Sequence, residues 1–281
     1  MIAFVGSVFS PYYAWSGRRD PEDHVSINIC LYGPRGAWAM TERGRADLTR
    51  DERHIRVGPS AMSWQDGALV VEFDERAVPL PRRLKGRLRL VPDVLNERDF
   101  PISDGHRWRP VAPAARIELD APDLGLSWSG HGYHDTNWGV EGLEYGFRRW
   151  DWSRARFPDA TSAILYDVEP RGAPAHTLAL RFGTDGVPRA FEPPPRASLG
   201  RGLWGVARKI QCEAGSEPEL VRSLEDAPFY TRAEVRSRLL GHDVVSVHET
   251  LDGDRFGSRW VKGLLPFRMP RRARRHRPGG G

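Results

Sequence analysis

The sequence predicts a mainly β protein of antiparallel sheets, closed as a barrel or stacked as a sandwich, with few short helices. Three observations carry that prediction. Apolar and polar residues alternate over many short segments, which is the period of a half-buried strand. Glycine and proline are plentiful, at 29 and 23 of 281 residues, and suit many turns between short strands. Asp-Gly pairs recur at Asp66-Gly67, Asp104-Gly105, Asp185-Gly186 and Asp252-Gly253, and each supplies tight-turn chemistry.

Taken in order, the chain opens on an aromatic run with little charge, Phe4-Val5-Gly6-Ser7-Val8-Phe9-Ser10-Pro11-Tyr12-Tyr13-Ala14-Trp15, read as the packing of a first strand. Val25, Ile27, Ile29 and Leu31 share one side of the next strand, with Ser26, Asn28, Cys30 and Tyr32 opposite. Further strands are predicted over 68–74, 86–91, 114–120, 161–168, 176–182 and 243–250. Asp66-Gly67 joins Ala61-Met62-Ser63-Trp64 to Ala68-Leu69-Val70-Val71 as a tight hairpin. Helical signals are few. Thr231-Arg232-Ala233-Glu234 resembles a capping box opening a segment that reaches Leu240, although the same residues are equally acceptable as a strand. Two halves meet between about 121 and 141, giving β domains over 1–130 and 131–267 and a basic tail without fixed structure over 268–281.

Forty per cent hydrophobic residues supplies both halves with core material and excludes wholesale disorder. The net charge of +5 rests on arginine, since Lys85, Lys209 and Lys262 are the only lysines. Six of the ten residues from Arg268 to Arg277 are Arg, directly after Trp260-Val261-Lys262-Gly263-Leu264-Leu265-Pro266-Phe267. An apolar stretch followed by a basic cluster suits an anionic membrane surface, with a merely solvated tail as the alternative. No nucleic-acid partner is expected, because no reading motif accompanies the cluster. Cys30 and Cys212 make no disulfide framework, which points to a reducing compartment. The first seven residues lack a basic start and a long apolar segment, so no signal peptide is expected. No run approaches the ~18 apolar residues of a membrane span. The expectation is a cytoplasmic protein, soluble or peripheral to a membrane.

The densest chemistry lies in His131-Gly132-Tyr133-His134-Asp135-Thr136-Asn137-Trp138-Gly139, read as a glycine-bounded loop at the junction of the halves. A metal site is the first test. His131 and His134 stand three apart and would face opposite sides of a strand, so with Asp135 they converge only across a bend. Zinc helix motifs and paired cysteines are missing. No Gly-x-Ser-x-Gly elbow and no phosphate loop occurs either. A reaction without metal or cofactor fits these residues better. Asp135 becomes a candidate general acid, given that burial beside Tyr133 and Trp138 disfavours its charged form; its other reading is a turn cap. Near it in type is Asp104-Gly105-His106-Arg107-Trp108, where His106 and Trp108 share one side of a strand or an exposed hairpin. The ten tryptophans, four of them between Trp128 and Trp152, serve either a core or an apolar, electron-rich groove.

Gly6-Ser7-Val8-Phe9-Ser10-Pro11-Tyr12-Tyr13, the His106-x-Trp108 pair and the stretch His131 to Gly139 together resemble the carotenoid 1,2-hydratases (hydroxyneurosporene synthases) of phototrophic bacteria. The resemblance runs from about residue 4 to about residue 265. It implies two lipocalin-like β domains and the cofactor-free addition of water to the terminal C1–C2 double bond of an acyclic carotenoid such as neurosporene or lycopene. By resemblance Asp135 is the acid, with Tyr133, His106 and Trp108 as its catalytic companions. His134, Trp138, His131, Tyr12 and Tyr13 are expected to bind substrate, and His106, Tyr133 or His134 to hold the attacking water. The expected partners are the carotenoid, water and a membrane surface, inner or intracytoplasmic. A non-catalytic isoprenoid carrier, or a cyclase on the same scaffold, are the other functions such a chain allows.

Overall fold

Every segment with strict alternation forms a strand in the computed structural model, which describes residues 1–34 and 36–272. A three-stranded sheet contains β1 (Ile2–Val5), β2 (Val25–Leu31) and β3 (Ala37–Met40) in that order. The next strands are β4 (Leu48–Arg50), β5 (His54–Val57), β6 (Ser60–Gln65), β7 (Ala68–Arg76), β8 (Arg83–Val94), β9 (Phe100–Ser103), β10 (His106–Ala121) and β11 (Leu126–Gly139). They form one sheet of order β11-β10-β8-β7-β6-β5-β4, with β9 paired to β10. Then come β12 (Phe147–Arg156), β13 (Ser162–Pro170), β14 (His176–Phe182), β15 (Pro188–Ala190), β16 (Arg196–Arg201), β17 (Ala207–Gln211), β18 (Glu219–Asp226), β19 (Tyr230–Leu239) and β20 (His242–Asp252). Seven of these make a sheet of order β15-β14-β13-β12-β20-β19-β18, and β16 pairs with β17. The sheets run as open paths. The helices are short: α1 (Pro11–Trp15), α2 (Leu143–Gly146), α3 (Gly253–Gly257) and α4 (Arg259–Arg268). Among the described residues no helix is long and apolar enough to cross a membrane.

Turn chemistry acts as expected at Asp66-Gly67, whereas Asp252-Gly253 opens α3 instead, where the Asp252 side chain accepts from the Arg255 N–H at 3.0 Å. Asp66 and Gly67 both have positive φ, 48° and 72°, and Gln65 pairs with Ala68 to close the β6–β7 hairpin. The segment from Thr231 resolves as strand β19, because β18 and β20 satisfy its backbone on both sides. Two further expectations are corrected. The first strand ends at Val5, and Tyr12 and Tyr13 lie in α1, where Pro11 starts the helix and the Ser10 hydroxyl accepts from the Tyr13 N–H at 2.9 Å. The stretch His131 to Gly139 is no loop but the second half of β11, since pairing with β10 satisfies its polar backbone.

The described chain forms two compact units, whose boundaries fall inside β8, β10 and β11. Unit 1 comprises 1–91, 116–132 and the chain from 262. Its core gathers Val25, Ile27, Ile29, Val57, Phe73, Leu84 and Leu119. Both faces of β2 are buried, because Ser26 and Asn28 are covered as well as the apolar side. Unit 2 comprises 92–115 and 133–261. One of its cores is aromatic and holds Trp108, Phe147, Trp152, Tyr166 and Phe182. Of the expected basic tail, 268–272 is packed on unit 1, with Met269 buried and Arg271 paired to Asp23 and Glu42; the remainder of the tail lies outside the described residues.

Candidate active site

The site lies in unit 2 and is built from strand parity. Tyr133, Asp135 and Asn137 alternate along β11 and project from one face. Beside them in the same sheet β10 supplies Trp108, fully buried, and the sheet of β12, β13 and β20 supplies its aromatic face, with Trp152 against Tyr133. In that sheet Tyr166, Trp152, Glu249 and Arg232 are successive cross-strand partners, so all four stand on one rung of one face.

Asp135 is the centre. Its Oδ2 accepts from the Trp108 indole N–H at 2.9 Å, from the Tyr133 hydroxyl at 3.1 Å and from the Asn137 amide at 3.5 Å. Concentrating these donors on one oxygen leaves Oδ1 as the atom to carry a proton. Burial raises the pKa of Asp135; the hydrogen bond from Trp108 opposes the rise, the negative charge of Glu249 adds to it, and the bonds from Tyr133 and Asn137 oppose it further. The balance sits at about 6. The carboxyl is thus a usable neutral acid just below neutral pH.

The walls are aromatic. Trp108 meets Tyr166 edge-on at 5.5 Å between centroids and Phe100 at 5.7 Å. Tyr133 stacks obliquely on Trp152 at 5.3 Å, and Trp150 meets Tyr166 at 5.7 Å. Arg154 lies over the Tyr133 ring at 5.4 Å, and burial lowers its pKa to about 10, which still leaves it a cation at neutral pH. Burial also pushes the Tyr133 and Tyr166 phenols well above their ordinary value, so both remain neutral donors. The Trp152 indole N–H is buried and has no hydrogen-bond partner among the described residues.

Of the residues singled out from the sequence, the structure brings Asp135, Tyr133 and Trp108 together. His106 shares the face of Trp108 but is spent on the wall. One ring nitrogen is 3.1 Å from the Ser103 hydroxyl and the other 3.1 Å from the Glu141 carbonyl, while the ring stacks on Phe147 at 4.7 Å. It is buried rather than exposed on its hairpin, and burial lowers its pKa. His134 is adjacent to Asp135 and so projects from the opposite face of β11, with its pKa lowered by burial to about 4. Trp138 shares that opposite parity, is 42% exposed and lies under Arg109 at 5.7 Å. His131 is exposed on the unit 1 part of β11. Tyr12 and Tyr13 make their ring contacts within unit 1, to Trp15 and to His24. Among the described residues no group of three or more His, Cys, Asp or Glu could hold a metal ion. Sequence reasoning missed Trp152, Tyr166, Arg154 and Glu249. Trp150-x-Trp152 at strand spacing was the available signal for the aromatic face.

Fold and site define a class: an antiparallel β protein of two units, with a partly buried carboxyl acid framed by indole and phenol rings. The backbone resembles that of a protein provisionally assigned as AttH from Nitrosomonas europaea, with TM-score 0.55, 12% identity, and coverage of 82% of this chain and 80% of that one. That likeness concerns the fold alone and agrees with the expected lipocalin-like architecture. The family model for carotenoid hydratase CrtC matches residues 1–278, and the chain belongs to that family. It is 47% identical over 278 residues to an acyclic carotenoid 1,2-hydratase of Thiocapsa roseopersicina, covering 96% of this chain and 68% of the relative. Identity to the protein of the same description from Rubrivivax gelatinosus is 47%, covering 97% and 69%. For that of Cereibacter sphaeroides it is 43%, covering 97% and 98%.

Proposed function

We propose that this chain adds water across the terminal C1–C2 double bond of an acyclic carotenoid, with Asp135 as the acid. The observation that carries the mechanism is the set of three donors on Asp135 Oδ2, which leaves Oδ1 to bear the proton within an aromatic wall. Family membership and the relatives' hydratase names support the reaction and the substrate class.

The chemistry follows from the residue types. The Oδ1 proton is delivered to C2, the less substituted carbon, and the π electrons form the new C2–H bond. A tertiary cation remains at C1. Indole and phenol faces from Trp108, Trp152 and Tyr166 can stabilise it by about 0.5–2 kcal/mol each. As Asp135 becomes an anion, the bonds from Trp108, Tyr133 and Asn137 strengthen toward it, so the donors act most in the charged transition state. Water then bonds to C1 and loses a proton, giving a tertiary alcohol. No step calls for a cofactor.

Asp135→Asn keeps the shape of the acid and removes its proton. Hydration by this variant should fall by at least about 100-fold. Turnover in heavy water should place one deuterium at C2 of the alcohol. Full activity in Asp135→Asn overturns the mechanism; a cyclised product without added oxygen, or unchanged carotenoid, overturns the activity.

Such a substrate resides in a bilayer, so peripheral membrane contact is part of the proposal. α4 exposes Trp260, Leu264 and Phe267, spaced as one helical face, and basic residues follow. Liposome flotation of the full chain should exceed that of a chain ending at residue 272 and of a Trp260→Ser, Phe267→Ser variant. Equal flotation of all three removes the idea.

A further inference from the structure

We propose that Glu249 and Trp152 hold and activate the water that attacks C1, with Glu249 as the base. The inference rests on the hydratase reading above. It answers a question that the imidazoles leave open, because His106 has both nitrogens engaged and His134 projects from the other face of β11.

The geometry is a pair of neighbours with complementary needs. Trp152 on β12 and Glu249 on β20 are direct cross-strand partners, which puts their side chains next to each other on the face that meets Tyr133. Trp152 is 8% exposed, and its N–H is a buried donor without a partner among the described residues. A buried donor is costly to leave without an acceptor. Glu249 is paired with Arg232, whose Nε and Nη2 approach one oxygen, Oε1, at 2.9 and 2.7 Å. Its Oε2 is left to accept. A water between the two would accept from the indole N–H and donate to Oε2, which aims a lone pair away from both. That is the state of a water ready to attack a cation lodged against the same rings.

The step balances. The water oxygen bonds to C1 and one of its protons passes to Glu249 Oε2, leaving a neutral Glu249 and an anionic Asp135. Return of that proton to Asp135 closes the cycle, and the net change is alkene plus water to alcohol. The two carboxyls are thereby divided into an acid and a base by their surroundings. The charged and titratable groups on the side of Glu249 include Arg232, Tyr230 and Glu234 on β19, Glu225 and Arg222 on β18, Arg154 and Arg156 on β12, Tyr166 on β13, and Asp135 with Tyr133 on β11. His248 and Asp151 have the opposite parity and lie behind the sheet.

The test uses the full chain, an acyclic carotenoid in liposomes and four variants: Glu249→Gln, Glu249→Asp, Trp152→Phe and Asp135→Asn. Glu249→Gln should lower kcat by about 100-fold or more, change KM by less than about threefold, and abolish the acidic limb of the pH profile. Glu249→Asp should recover part of the rate. Trp152→Phe keeps the ring and loses the N–H, and should lower kcat by about tenfold or more. In heavy water Glu249→Gln should still protonate the alkene, so recovered carotenoid gains deuterium at C2 without forming alcohol; Asp135→Asn should lose both. Wild-type hydration with an unmoved pH profile in folded Glu249→Gln and Trp152→Phe overturns this proposal and leaves the Asp135 mechanism standing. Loss of exchange together with hydration in Glu249→Gln also overturns it. An active Asp135→Asn overturns both readings.

Discussion

Asp135 carries a conflict between stability and function that can be measured. Its folded pKa of about 6 lies above its ordinary 3.8, with burial as the main cause. A raised acid pKa means that the folded state holds the proton more tightly than the unfolded chain does. The stabilising proton is therefore present below pH 3.8 and is lost as pH rises through about 6. Discounted for its partial exposure, the ionised carboxylate costs the folded protein about 2 kcal/mol at neutral pH. Asp135→Asn removes that cost, so its urea midpoint at pH 7.5 should exceed wild type even though hydration is lost. The advantage should shrink as pH falls from 6 to 4. An equal gap at both ends would mean that the carboxylate is not the source of the cost. Hydration should follow the opposite logic: the acid form is the active one, so kcat should rise as pH falls through about 6.

At the scale of the element, β10 and β11 hold the site by close backbone approach. A Cβ on Gly139 would lie 2.4 Å from His106 Cδ2 and 2.7 Å from the Gly105 carbonyl oxygen. On Gly146 it would lie 2.6 Å from His106 Cε1. The imidazole is thus a packing piece fixed between two glycines, and Trp108 follows two residues later on the same strand. Gly139→Ala should destabilise by about 2 kcal/mol and lower kcat by disturbing the Trp108–Asp135 hydrogen bond. A thermal melt and kinetics on the same sample check this; wild-type values in both would show that the strand pair has room to spare. Strands of this kind were legible in the sequence because period-two alternation is local, as at Val25 to Leu31. The second half of β11 was not, because polar residues between two glycines look like a loop until β10 satisfies their backbone. Trp108, Tyr133 and Asp135 could be picked out because each sits in a dense local motif. Glu249 sits in His248-Glu249-Thr250, which looks like any half-exposed strand, and it reaches Trp152 only through the β12–β20 register.

For the whole molecule, the C-terminal residues were the least legible part, since six arginines in ten residues read as a free basic tail. In unit 1 the beginning of that tail is structural. Arg271 is ion-paired to Asp23 at 2.7 Å and to Glu42, whose side chain is fully buried and also lies 2.8 Å from the His24 Nδ1. The backbone follows, with the Glu42 N–H donating to the Pro270 carbonyl at 3.0 Å and the Arg272 N–H to the Glu42 carbonyl at 2.8 Å. Composition cannot reveal this, because the partner of Arg271 is 229 residues away in sequence. Breaking a buried ion pair from one side leaves an uncompensated charge and costs about 3–5 kcal/mol. Arg271→Met should therefore lower the urea midpoint of unit 1, followed through Trp38 and Trp64, whereas a chain ending at residue 272 should keep it. If both proteins unfold as wild type does, Glu42 does not depend on Arg271. If the chain ending at 272 is destabilised as much as Arg271→Met, residues beyond 272 contribute to the same anchor. The intermediate expectation, loss in one and not the other, separates the residues of the tail that fold unit 1 from those that its stability does not need.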